Sequence, residues 1–270
     1  MADSRVPTVA PYGEWLSPIT PQLITAAGIG LEGVGIGSSG SLFWLEARPN
    51  EGGRYVVCRH APGEEGASER GGVDVTPTDS NVRTRVHEYG GGAFTISPDP
   101  TDGGAEVVIY ANYKDQRLYK VATSPGTPAT PVCLTPEGPA FATDALYRFA
   151  DGVVDQARRR FVCVREDHTE PDPSKVVNAL VSVSLDGSGA VEVLASGFDF
   201  YGAPRLSPGG DRVAYLRWNH PSMPWDATEL VVLALPGSAD AGSEVMVAAG
   251  DASNLQPAWC PATGGGLESS

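Results

Sequence analysis

The sequence is short of positive charge. Its 270 residues include 19 Lys and Arg against 33 Asp and Glu, a net charge of −14. An acidic chain repels phosphate backbones, so nucleic acid is not an expected partner. Anionic membrane surfaces drop out for the same reason. Long apolar runs are also missing, since none approaches the roughly 18 residues that span a bilayer. The opening MADSRVPTVAPYGEW has neither the basic start nor the apolar stretch of a signal peptide. Cysteine is scarce. Cys58, Cys133, Cys163 and Cys260 are far apart, and none belongs to a C-x-x-C. They read as reduced, mostly buried thiols, and no metal or other cofactor is expected. With no Asn-x-Ser/Thr sequon either, the expected setting is reducing and cytoplasmic.

Sustained helical periodicity is absent too. With 33 Gly and 23 Pro, helix bundles and coiled coils are excluded. What remains is short apolar runs punctuated by turn chemistry: LFWL from Leu42, YVVC from Tyr55, VVIY from Val107, FVCV from Phe161. LVSVSL from Leu180 stops at Asp186-Gly187, and LVVLAL from Leu230 stops at Pro236-Gly237. A strand-ending pair recurs at intervals of about 50–60 residues, the size of one four-stranded propeller blade. The pairs are Val75-Thr76, Leu134-Thr135, Leu194-Ala195 and Val247-Ala248. Four units and the opening of another are visible. The expected fold is all-β, a partial propeller of about four to five four-stranded blades. Residues 1–40 read as a lead-in segment, 41–261 as the incomplete propeller and 262–270 as an irregular tail.

Several segments resemble a known family. They are PYGEWLSPIT (Pro11 to Thr20), NVRTRVHEYGGGAF (Asn81 to Phe94), DQRLYKV (Asp115 to Val121), VREDH (Val164 to His168) and the long run from Asp199 to Leu230. Together they resemble the N-terminal propeller of prolyl oligopeptidase family serine peptidases, in the acylaminoacyl-peptidase and dipeptidyl-aminopeptidase branch. The resemblance covers residues 11 to 261. It implies a propeller that caps a hydrolase domain with a Ser-Asp-His triad and restricts peptide access to it. The family pattern stops after Pro261, and ATGGGLESS reads as a truncated or mis-joined terminus. The sequence has no Gly-x-Ser-x-Gly nucleophile elbow; Gly37-Ser38-Ser39-Gly40 is one residue too short. The chain by itself is therefore expected to be non-catalytic, with a peptide or a hydrolase domain as its partner. Uncovered blade edges are expected to let it self-associate. The alternatives are a stand-alone propeller that binds a partner protein, and a small-propeller glycosidase, for which no carboxylate pair stands out.

Candidate site residues follow from three motifs. In RTRVHEY, an extended chain puts Arg83, Arg85, His87 and Tyr89 on one side and Val82, Thr84, Val86 and Glu88 on the other. The donor-rich side suits a carboxylate, either as a substrate-facing or interdomain anion site or as blade-to-blade ion pairs. The glycines Gly90 to Gly92 read as close backbone approach near the axis. Trp225, in the loop NHPSMPWD, reads either as a ligand or domain contact or as a closure over the blade edge. Glu166-Asp167-His168 looks metal-like but sits beside a loop signal and reads as a solvated cluster. Gly28-Ile29-Gly30-Leu31-Glu32-Gly33 matches a dinucleotide fingerprint without the helix it needs, and reads as a flexible loop leading into the first blade.

Overall fold

A computed structural model of the chain describes residues 28–62, 72–100, 106–123, 130–136, 146–170 and 172–260, with several positions between 9 and 23. The tail at 262–270 lies outside the described residues. Four antiparallel sheets of four strands account for nearly all of the regular structure. Blade 1 is β1 (Gly30–Ile36), β2 (Leu42–Arg48), β3 (Arg54–His60) and β4 (Val73–Asp74). Blade 2 is β5 (Phe94–Pro98), β6 (Glu106–Ala111), β7 (Leu118–Ala122) and β8 (Val132–Cys133). Blade 3 is β9 (Tyr147–Asp155), β10 (Arg160–Asp167), β11 (Val177–Ser184) and β12 (Val191–Ser196). Blade 4 is β13 (Phe200–Leu206), β14 (Arg212–Trp218), β15 (Glu229–Ala234) and β16 (Glu244–Ala248). Strands follow one another in sequence order within every sheet, the meander expected of propeller blades.

The period-2 alternation of each central strand decides which side of a blade it covers. In β10, Phe161 and Cys163 face blade 2, while Val162 and Val164 face blade 4. In β6, Val108 and Tyr110 face blade 1, while Ile109 and Ala111 face blade 3. The buried apolar residues fall into three clusters, one in each seam between successive blades. Among the described residues no such cluster joins blade 4 to blade 1, so the four blades form an unclosed arc.

One sequence expectation changes. The glycine-rich segment is not a loop: β1 is the inner strand of blade 1, so the first sheet begins inside the stretch read as a lead-in. Glycine suits this strand: Gly33 holds φ +50°, which L side chains rarely adopt, and a Cβ on Gly35 would stand 2.6 Å from the end of the Ile96 side chain, which would have to move. Among the described residues, the opening of a fifth unit forms no strand. Residues 255–260 run irregularly, and Trp259 Nε1 donates to Arg205 O at 2.8 Å, laying this segment against the inner strand of blade 4. The cysteines are all free, with Cys58 and Cys163 buried, Cys133 half-buried and Cys260 exposed. No helix among the described residues is long and apolar enough to cross a membrane.

Candidate functional site

The meander places the β2–β3, β6–β7, β10–β11 and β14–β15 hairpins at one end of the blades, together with the crossovers between blades. The crossover from β4 to β5 carries the RTRVHEYGGG motif across this end. It starts extended, bridged from Val82 to Asn112 and tied by the Arg83 N–H to Ala111 O at 3.1 Å. Val82, Thr84 and Val86 are buried, as alternation requires, and Arg83 points outward. The chain then turns over residues 86–89, with left-handed φ values of 56° at His87 and 66° at Glu88. The turn breaks the alternation, so the single donor-rich face expected from the sequence divides in two. Arg83 and Arg85 gather on the Tyr113 ring, while His87 and Tyr89 stack on each other with centroids 5.7 Å apart.

His87 and Tyr89 enter a cavity of about 790 Å³ between blades 3 and 4. Its polar wall is Arg148 on β9, Glu166 on β10 and Asn178 on β11; its aromatic wall is Phe200 on β13 and Trp218 on β14. Phe200 and Trp218 are stacked at 5.3 Å, and the His87 ring lies 5.6 Å from each. Glu166 anchors the polar wall. Its carboxylate accepts the His87 backbone N–H at 2.8 Å and sits 2.9 Å from His168 Nε2 and 3.9 Å from Arg148. Arg148 also donates to Glu88 at 2.6 Å, which holds the Glu88 carboxyl below its ordinary range. Burial pushes the His87 imidazole below its ordinary value, against the pull of the Glu166 charge. Three buried polar atoms of this wall have no hydrogen-bond partner: His87 Nδ1, Arg148 Nε and Asn178 Oδ1.

A second cavity, about 780 Å³, follows the axis between the inner strands β1, β5, β9 and β13. Glu32, Arg83, Asp151 and Arg205 supply its charge, and Tyr89 lines both cavities, so the two meet at that ring. The inner strands touch through backbone. Gly92 has φ +59°, and a Cβ there would stand 2.7 Å from Asp151 Cα. The Asp151 N–H donates to Gly92 O at 2.8 Å, and the Asp151 carboxylate accepts the Ala203 N–H at 2.5 Å. The glycine run thus serves close approach at the axis, as its sequence suggests.

Trp225 does not line the cavity; its neighbours Met223 and Pro224 do, and Trp225 remains 65% exposed. Glu166 and His168 do come together, but among the described residues no group of three or more His, Cys, Asp and Glu side chains is placed to hold a metal ion. Arg148 and Asn178 were missed from sequence. Each is the second residue of its strand, Arg148 in β9 and Asn178 in β11, and neither carries a motif. The only signal was positional, since both flank the end of a blade that holds VREDH.

No family model matches the chain, and no curated protein does. Solved structures do. A puromycin-hydrolysing peptidase of Mycobacterium tuberculosis superposes with a TM-score of 0.78 at 32% identity over 94% of this chain. Puromycin hydrolase superposes with a TM-score of 0.76 at 32% identity over 90% of it. A mutant of puromycin hydrolase complexed with PGG gives 0.75 at 33% identity. The chain spans only 36–37% of the length of these proteins. The blade-by-blade meander, the unclosed arc and this similarity together place the chain with the N-terminal propeller region of the puromycin-hydrolysing peptidases of the prolyl oligopeptidase family.

Proposed function

We propose that the chain is the access-controlling propeller of a peptide-hydrolysing enzyme, and that the cavity between blades 3 and 4 receives the amino end of a peptide. The carrying observation is the set of orphaned atoms on its wall. Asn178 Oδ1 requires a donor and Arg148 Nε requires an acceptor. A peptide end supplies both, an ammonium or amide N–H and a carbonyl. The Phe200–Trp218 stack beside them accepts an apolar or aromatic side chain. Glu88 and Glu166 supply the negative charge that an ammonium seeks. The solved neighbours are hydrolases of puromycin by name, which supports amide cleavage as the activity of the architecture to which this propeller contributes.

The test is calorimetric titration of the chain with Phe-Gly-Gly amide and with its N-acetylated form. The free amine binds, and acetylation weakens binding about tenfold or more, the scale of one charge-assisted hydrogen bond. Asn178→Leu produces a similar loss with the free amine. Equal binding of the two peptides, or none, overturns the amino-end assignment.

A further inference from the structure

We infer that Arg83, Arg85 and Tyr113 form a carboxylate-binding site beside the axial cavity, separate from the cavity between blades 3 and 4. The inference does not depend on the amino-end assignment.

Arginine in so acidic a chain readily finds a carboxylate. Arg48, Arg54, Arg148, Arg158, Arg212 and Arg217 all do. Arg83 and Arg85 do not pair with any acid among the described residues. Their guanidinium carbons lie instead 4.9 Å and 5.7 Å from the centroid of one ring, that of Tyr113, and Arg83 also lies 5.6 Å from the Tyr55 ring. Stacking on a ring face satisfies part of the charge and leaves the N–H fork free for a planar acceptor. The Arg85 Nε is buried and has no acceptor. Two cations sharing one ring repel each other, and an anion bridging them removes that cost.

The backbone beneath the pair is fixed. The Arg83 N–H is held by Ala111 O, the Arg85 N–H by Gln116 Oε1 at 2.7 Å, and the Arg85 carbonyl by Arg148 at 3.2 Å. Gln116 is itself fully buried and donates to Tyr113 O at 2.9 Å, so ring and arginines share one frame. Access comes from the solvent side, since Arg83 is exposed and lines the axial cavity. Glu32 accepts from the Tyr55 hydroxyl at 3.4 Å and makes no ion pair with Arg83 or Arg85. Glu88 feels the Arg85 charge but makes its ion pair with Arg148.

The carboxylate has two sources in a peptide, the chain terminus and an acidic side chain. Three acetylated probes separate them: acetyl-triglycine with a free carboxylate, acetyl-Gly-Glu-Gly amide, and acetyl-triglycine amide as the uncharged control. Acetylation removes the amino end, so failure here leaves the amino-end assignment standing, and the reverse. Binding is read by calorimetry and by the arginine Nε–H resonances of the full chain. At least one carboxylate probe binds and moves the Arg83 and Arg85 signals, and the amide control does neither. Binding weakens about tenfold in Arg83→Gln and in Arg85→Gln, with unchanged melting curves. Arg85→Lys, which keeps charge but loses the fork, recovers only part of it. Equal binding of the amide, no carboxylate binding to the wild-type chain, or full binding by both Gln variants overturns the site. Should a Gln variant fail to fold, the three probes on the wild-type chain still decide.

Discussion

Replacing Glu166 tests whether the turn at His87 is built by its sequence or by the carboxylate behind it. The Glu166 side chain is only 4% exposed and meets three groups, the His87 N–H, His168 Nε2 and Arg148. Glu166→Ala leaves the His87 N–H without its acceptor and removes the buried partner of Arg148. What remains to Arg148 is the Arg85 carbonyl and Glu88, whose side chain is 78% exposed. Breaking a buried charged contact by deleting one partner costs about 3–5 kcal/mol. Glu166→Gln keeps an oxygen to accept the N–H and loses only the charge, so about 1–2 kcal/mol is expected from the weakened hydrogen bonds. In a chain of this size each kcal/mol moves the melting midpoint by about 2–4 °C, so the Ala variant falls well below the Gln variant. Thermal melts of the three proteins read the order, and hydrogen exchange at the His87 amide reads the local cause. An Ala variant that melts with the wild type refutes the anchoring. A Gln variant as damaged as the Ala variant shows that charge, not the N–H acceptor, holds the turn.

Three further outcomes follow from the same geometry. Gly92→Ala places a methyl group against the Asp151 backbone at a left-handed φ, so urea unfolding shows a loss of about 2–5 kcal/mol; a midpoint equal to wild type rejects the close approach. Burial lowers the His87 pKa, so the folded chain prefers the neutral ring. Its stabilising contribution is complete above the ordinary imidazole value of 6.5 and is lost as pH falls through the depressed folded value. His87→Phe flattens the pH dependence of stability over that window, and an unchanged profile refutes the assignment. The chain alone does not react with a fluorophosphonate probe, because no serine sits in a Gly-x-Ser-x-Gly turn; labelling of native protein well above denatured protein contradicts this.

Much of the fold was legible because a blade announces itself locally. FVCV in β10 and VVIY in β6 alternate between two seams, and strand-ending pairs mark the repeat. The site was legible only up to Val86. Alternation correctly buried Val82, Thr84 and Val86, then failed where the chain turned left-handed at two non-glycine residues. No local pattern forecasts that turn, since its acceptor, Glu166, is supplied by another blade. β1 was misread for a related reason: its glycines look like a loop until Ile96 of the next blade is set beside them. Among the described residues Arg83 and Arg85 make no ion pair between blades; both lie against the Tyr113 ring, on the β6–β7 hairpin.

Strain marks the same region from another direction. His87, Glu88, Asp151 and Ala203 all hold positive φ without being glycine, and His87, Glu88 and Asp151 line the cavities. Ala203 is bound by the Asp151 carboxylate. Each such residue costs on the order of 1–3 kcal/mol and persists only where its surroundings over-determine it. Here the surroundings are cross-blade bonds: Glu166 to His87, Arg148 to Glu88, Gly92 to Asp151 and Asp151 to Ala203. The blades are therefore joined at this end by strained backbone as well as by apolar seams. The loop that carries His87 and Tyr89 is tied to both blades of this seam, by Glu166 of blade 3 and by Phe200 and Trp218 of blade 4, and its Tyr89 lines both cavities.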